Sequence, residues 1–173
     1  MNVPTTALIP ILTQWQKRSQ SRFGRWLFTR SICRRAPYFA SIKPYFLELR
    51  PALCVVLMPR QTATGGSSQA ARPSQPVRPG GTVHPLAIAT LCELAASTVT
   101  EVTLPPGMSW YSRGMTIEYL RRAETDVTAT ARLDKAEWGG EAHNIAVPVS
   151  AVDRNGAEVV RAVITVRIEP GAA

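Results

Sequence analysis

The carboxylate of Glu93 is the group in this 173-residue chain best placed by its surroundings to do chemistry. It interrupts an otherwise apolar run, Pro85-Leu86-Ala87-Ile88-Ala89-Thr90-Leu91-Cys92-Glu93-Leu94-Ala95-Ala96-Ser97. A carboxylate on the inward side of a helix loses solvation unless it is paired or used. His84 stands nine residues upstream, at the mouth of the same predicted helix and just after Gly81. A helix start offers unpaired N–H groups and the positive end of the dipole. Such a start can polarise a carbonyl while a carboxylate about two turns inside attacks or deprotonates beside it. That layout suits acyl transfer.

Each of these residues also has a plainer reading. Glu93 can be a helix carboxylate paired to a lysine or arginine, or exposed at the helix edge. His84 can cap or pack the helix start, and Ser97 can be structural. Arg121 and Arg122 can be a solvated pair at a strand end. Cys92 adjoins Glu93 in sequence but points about 100° around the helix from it. No basic partner that would make it a nucleophile is evident.

Other chemistries find little support. The three cysteines, Cys33, Cys54 and Cys92, are odd in number and widely spaced, no CxxC pair exists, and His84 and His143 are the only histidines. A disulfide scaffold or a metal site is not expected. A reducing, cytoplasmic setting fits free cysteines in apolar runs. No stretch is read as reaching the roughly 20 apolar residues of a membrane span.

The elements that must position these residues can be read from periodicity. Residues 8–35 read as one or two short amphipathic helices, with Leu8, Ile11, Leu12, Trp15, Phe23, Trp26, Leu27 and Ile32 at roughly helical spacing and arginines between them. Residues 46–58 read as a strand pair turned at Pro51-Ala52. Residues 61–81 are rich in Gly, Ser, Pro and Gln, without periodicity, and read as a flexible loop. The central helix is predicted from Gly81 or Thr82 to about Thr100, with Pro85 in its first turn. Strands follow at 109–123, bulged or broken near Gly114, and at 126–133, 145–152 and 158–168. Asn155-Gly156 marks a hairpin between the last two. One antiparallel sheet curled around one buried helix is the economical packing, because both then bury their apolar faces together.

The net charge of +8 is uneven: residues 1–60 carry ten Lys/Arg and a single acid, Glu48, whereas residues 81–173 carry eight basic and eleven acidic groups. The basic first third reads as arginines held in water by a packed element, as a membrane-surface helix, or as the electrostatic footprint of a nucleic-acid binder. Residues 1–35 also share the Arg/Ser-rich, acid-free composition of organellar transit peptides.

Read together, five strings resemble the hotdog-fold thioesterase superfamily: Gly24-Arg25-Trp26-Leu27-Phe28, Ala36-Pro37-Tyr38-Phe39-Ala40-Ser41-Ile42, Gly81-Thr82-Val83-His84, Glu93-Leu94-Ala95 and Gly114-Met115-Thr116-Ile117-Glu118-Tyr119-Leu120. More narrowly they resemble a bacterial branch known only as a domain of unknown function. The resemblance implies an α+β hotdog domain over residues 40–170, a curled antiparallel sheet wrapped around a central helix, with a basic helical N-terminal extension over 1–39 and the loop 61–80.

The superfamily mostly hydrolyses acyl-CoA thioesters, as dimers or tetramers with sites at subunit interfaces. Its phenylacetyl-CoA-thioesterase-like members carry a His-Gly-Gly helix start and a helix acid. His84 and Glu93 match that His and that acid. By resemblance, Glu93 is the nucleophile or general base, His84 shapes the helix start, and Ser97 hydrogen-bonds the acid or orients a water. Gly81, Leu86, Tyr119, Arg121 and Arg122 line the substrate groove, an arginine meeting a CoA phosphate. The expected ligand is an acyl-CoA or acyl-carrier thioester, with no further cofactor and no metal. A homodimer or homotetramer is expected, no nucleic acid, and peripheral membrane contact through residues 8–35 is one option.

Two departures weigh against turnover. Pro85 stands where the pattern has glycine and supplies no backbone N–H, so Leu86 N–H or a water must substitute. The Gly/Ser/Pro-rich stretch 61–80 replaces a short basic segment with an Asn-His pair found in related sequences. A non-catalytic acyl-thioester binder or structural hotdog protein is therefore the second reading.

Overall fold

Strand alternation sets the architecture. In the last strand Val160, Ala162, Ile164, Val166 and Ile168 are all buried on one face, and the first four lie opposite buried residues of the preceding strand, such as Val149 opposite Ala162 and Val147 opposite Ile164. A sheet with one such face needs an apolar partner. In the computed structural model, which describes residues 8–60, 82–133 and 141–171, that partner is a single long helix.

The elements run α1 (Leu8–Arg18), α2 (Arg22–Arg35), a 3-10 turn (Pro37–Ile42), β1 (Tyr45–Arg50), β2 (Leu53–Met58), α3 (Pro85–Thr103), β3 (Met108–Tyr119), β4 (Val127–Arg132), β5 (His143–Asp153) and β6 (Glu158–Pro170). The six strands form one antiparallel sheet in the order β1-β2-β4-β5-β6-β3. This is the expected hotdog class, with β1 and β3 as the two edges. The predicted loop 61–80 and Gly81 lie outside the described residues.

Helix α3 packs into the concave face. Leu91, Cys92, Ala95, Ala96 and Val99 are fully buried. The helix has the length and apolarity of a membrane span, which the sequence reading did not credit to it. Its burial inside the sheet accounts for that composition. It begins at Pro85 and not at residue 82, because proline is favoured at the first helical position and His84 caps it from extended backbone.

The hairpins are made as their turn chemistry requires. Gly156 takes positive φ between β5 and β6, and Asp153 Oδ1 accepts from the N–H groups of Asn155 and Ala157. Strand β3 ends at Tyr119, earlier than the predicted 123, because the N–H groups of Leu120 and Arg121 both turn to the carbonyl of Val159. Its pairing with β6 skips one residue between Ser112 and Gly114, leaving a bulge at Arg113.

The N-terminal helices are tied into the same core. Trp15 and Phe28 meet edge-on at 5.1 Å, and Phe28 meets Phe46 of β1 at 5.2 Å. Ser21 caps α2 by accepting from Gly24 N–H at 2.9 Å. A side chain at Gly24 would overlap the Arg18 carbonyl, so glycine is needed where α1 turns into α2. The arginines between the apolar positions remain at the surface.

Candidate active site

Glu93 lies with Leu86, Ala89, Thr90 and Ser97 among the positions of α3 that are not fully buried, and is itself half-buried. Oε1 accepts a 2.6 Å hydrogen bond from Ser112 Oγ on edge strand β3. Among the described residues Glu93 makes no ion pair. Of the two plainer readings of Glu93, a lysine or arginine partner and an exposed helix edge, the first finds no partner among the described residues. Its charge is felt nearby. The Tyr38 phenol is pushed above its ordinary value, first by burial and then by Glu93. The fully buried Cys92 thiol is pushed up to about 12, by burial first and Glu93 second. At neutral pH Cys92 is a thiol, with no nucleophilic role.

Ser97 is placed differently from expectation. Its hydroxyl donates to the carbonyls of Glu93, at 2.7 Å, and Leu94, at 3.2 Å, within its own helix. A helical serine one turn from an acid finds the i−4 carbonyl before it finds the side chain. The hydroxyl that does reach the carboxylate is that of Ser112, which the sequence reading did not single out.

At the helix start, His84 Nδ1 accepts from Leu86 N–H at 3.2 Å. Ala87 and Ile88 N–H both turn to the His84 carbonyl, at 2.9 and 3.4 Å. Pro85 has no N–H to offer. The donors of the first turn are therefore engaged, and Leu86 N–H, the expected substitute for the missing one, is taken up by His84. Because Nδ1 accepts, a neutral His84 ring carries its proton on Nε2.

Tyr119, Arg121 and Arg122 do come together. With Pro85, Ile88 and Ala123 they line a pocket of about 440 Å³ at the start of α3. Tyr119 Oη donates weakly to the Pro85 carbonyl at 3.4 Å. The exposed guanidinium groups of Arg121 and Arg122 make no ion pair among the described residues. Leu86 is also close in sequence but points outward, 68% exposed. Gly81 lies outside the described residues, so its predicted place in the groove is not visible. No group of His, Cys, Asp and Glu among the described residues could hold a metal ion.

Glu93 does not line this pocket. Eight residues separate Pro85 from Glu93 on α3, about 12 Å of helical rise. A nucleophile must come within about 3 to 3.5 Å of the carbon it attacks. The helix start and the acid of one protomer are thus set further apart along the axis than one such contact.

Likeness to other proteins agrees with this frame. A family model described as "Domain of unknown function (DUF4442)" matches residues 24–65 and 77–168. No curated protein matches the chain. Among solved structures, a structural-genomics protein is 34% identical, with a TM-score of 0.74 over 93% of this chain and 98% of its own. A thioesterase from Haemophilus influenzae is 14% identical, with a TM-score of 0.59 over 76% of this chain and 81% of its own. A thioesterase family protein from Silicibacter pomeroyi is 16% identical, with a TM-score of 0.60 over 82% and 96%. At such identities the last two show the hotdog fold.

Proposed function

The chain belongs to the DUF4442 family, and from that premise we propose that it hydrolyses an acyl thioester, an acyl-CoA or an acyl-carrier conjugate, at a site shared between two copies of the chain. The observation that carries the proposal is the Glu93–Ser112 pair: a half-buried carboxylate without a cation among the described residues, oriented by a hydroxyl from the edge strand. Such a carboxylate is available as general base for water, or as nucleophile. The thioesterases that share its fold support the reaction class.

Two copies are needed on two grounds. The first is the distance along α3 between Glu93 and its own helix start. The second is the open edge of β3, twelve residues long and largely exposed, with Tyr111 and Tyr119 on it. A long unpaired edge tends to find a partner. Pairing there sets Glu93 of one copy near the helix start of the other. In that arrangement His84 Nε2–H polarises the thioester carbonyl, while Arg121 and Arg122 meet phosphates of the thiol carrier. Glu93 takes a proton from water, the water oxygen adds to the carbonyl carbon, and collapse of the adduct expels the thiolate.

A second reading is favoured by one observation, the engaged N–H groups of the helix start with Pro85 among them. It is an acyl-thioester binder without turnover. The test is thiol release from acyl-CoAs of short aliphatic, long-chain and aryl type, by the protein and by Glu93→Gln. Turnover that vanishes in the variant supports hydrolysis. Saturable binding with no turnover on any substrate supports the binder.

A further inference from the structure

Against β1, the edge of the sheet opposite β3, α2 carries a surface with no role in the reaction just described. Phe23 and Trp26 are stacked on each other, ring centres 5.7 Å apart and planes 22° from parallel. They are 68% and 45% exposed, although Trp and Phe are the side chains most costly to leave in water. Arg30 lies over the Trp26 ring at 5.4 Å. Beside Trp26 a cavity of about 770 Å³ opens between α2 and the β1–β2 edge, with Leu47, Leu57 and Pro44 in its wall and Arg22, Arg25, Arg30 and Lys43 around it.

Charge decides what fits there. Residues 8–60 hold ten Lys/Arg and one acid, Glu48, which pairs with Arg50. Among the described residues none of the arginines of α1 or α2 makes an ion pair. A second copy of this surface is repelled by the same charges, so self-association through it is disfavoured. A nucleic acid satisfies the arginines and leaves the phenylalanine and the apolar cavity unexplained. A bilayer with anionic headgroups satisfies all three at once: phosphates meet the guanidinium groups, the ring pair enters the headgroup boundary, and an acyl chain finds the apolar wall.

We infer that α2 docks the protein on an anionic phospholipid surface, with Phe23 and Trp26 as the inserted pair and Arg22, Arg25, Arg30 and Lys43 as the headgroup contacts. This inference is independent of thioester hydrolysis, and its test reads no turnover.

The experiment is co-sedimentation of the full chain with vesicles of phosphatidylcholine alone and of phosphatidylcholine with phosphatidylglycerol, at rising salt. The expected result is partition onto the anionic vesicles only, weakening as salt rises. Phe23→Ser/Trp26→Ser, both at exposed positions, lowers the partition by about tenfold or more. Arg22→Gln and Arg30→Gln each lower it roughly fivefold. Thermal melts matching the parent keep a folding defect from imitating the effect. Absence of partition at low salt overturns the inference, as does equal partition onto phosphatidylcholine alone or partition unchanged by the Phe23/Trp26 substitutions. A duplex oligonucleotide that strips the protein from vesicles and still binds the Phe23/Trp26 variant also overturns it, in favour of a nucleic-acid surface.

Discussion

Ser112 Oγ and Glu93 Oε1 are 2.6 Å apart, joining the edge strand of the sheet to the helix it encloses. The bond engages one carboxylate oxygen, and the other has no hydrogen-bond partner among the described residues. Ser112 is thus a positioning residue for Glu93. Hydrogen bonds to charged groups contribute about 1.5 to 3 kcal/mol. Ser112→Ala is expected to lower kcat by about 10- to 100-fold with KM little changed, and Ser112→Thr to restore most of it. A change confined to KM would assign Ser112 to substrate binding instead.

Pro85 leads to a gain-of-function experiment. Pro85→Gly supplies the N–H that the helix start lacks, and a single oxyanion donor is worth about 100- to 1000-fold in rate. Steady-state thiol release by Pro85→Gly should exceed the parent's. If the parent only binds, turnover should first appear in this variant. No change in rate would leave the developing oxyanion on His84 Nε2–H, as proposed, or on a water.

A shared site predicts complementation. Glu93→Gln and His84→Ala homodimers should each be impaired. When both chains are co-expressed, one of the two sites in a mixed dimer receives Glu93 from one copy and His84 from the other. Activity of purified mixed dimers should recover toward half of the parental value. Failure to recover, from a dimer shown to be mixed, would return the site to a single protomer.

The lower end of the same edge strand carries a structural counterpart. Trp110 Nε1–H donates to Glu101 Oε2 at 2.7 Å, and Glu101 is 8% exposed. Trp110→Phe leaves a buried carboxylate oxygen without that donor, at a cost of about 1 to 3 kcal/mol. A fall in Tm of several degrees is expected. An unchanged Tm would mean that water replaces the indole.

One pH effect follows from Asp126. Its carboxyl is held below the ordinary 3.8 by the backbone N–H of Arg60, then by the Arg154 side chain. A depressed folded value stabilises above the unfolded one and is lost as pH falls through the folded value. The Tm difference between the parent and Asp126→Asn should therefore be constant near neutrality and shrink as pH drops through 3.8 and below. A difference that persists in strong acid would assign it to packing. Arg154 is largely in water, so screening keeps the effect small.

The sequence carried the fold because its signals are local. Val160, Ala162, Ile164, Val166 and Ile168 announce a half-buried strand by themselves, and Asn155-Gly156 announces the hairpin before it. The site was legible only where its parts are near in sequence. Tyr119, Arg121 and Arg122 adjoin each other and do share a pocket. Ser97 drew attention because it is one helical turn from Glu93, whereas Ser112 lies 19 residues away on a strand whose register no local pattern fixes. The capture of Leu86 N–H by His84 was hidden for a different reason: a histidine at a helix start reads equally as cap or as donor until its ring is placed.

The bulge at Arg113 has a consequence for how this family can vary. Trp110 and Ser112 lie opposite the buried Ile168 and Val166 of β6, and Met115, Ile117 and Tyr119 lie opposite the buried Ile164, Ala162 and Val160. The inward residues are even-numbered before Arg113 and odd-numbered after it. The strand thus has two reading frames spliced at one residue. At this spacing only the splice lets Ser112, which holds Glu93, and Tyr119, which meets the Pro85 carbonyl, face the helix together. Losing Arg113 alone would make the strand regular and keep Ser112 and Tyr119 on one face, whereas losing one further residue between them would turn one of the two outward. A relative one residue shorter at this point therefore presents the same inward set from a straight strand, and one shorter elsewhere in the strand does not.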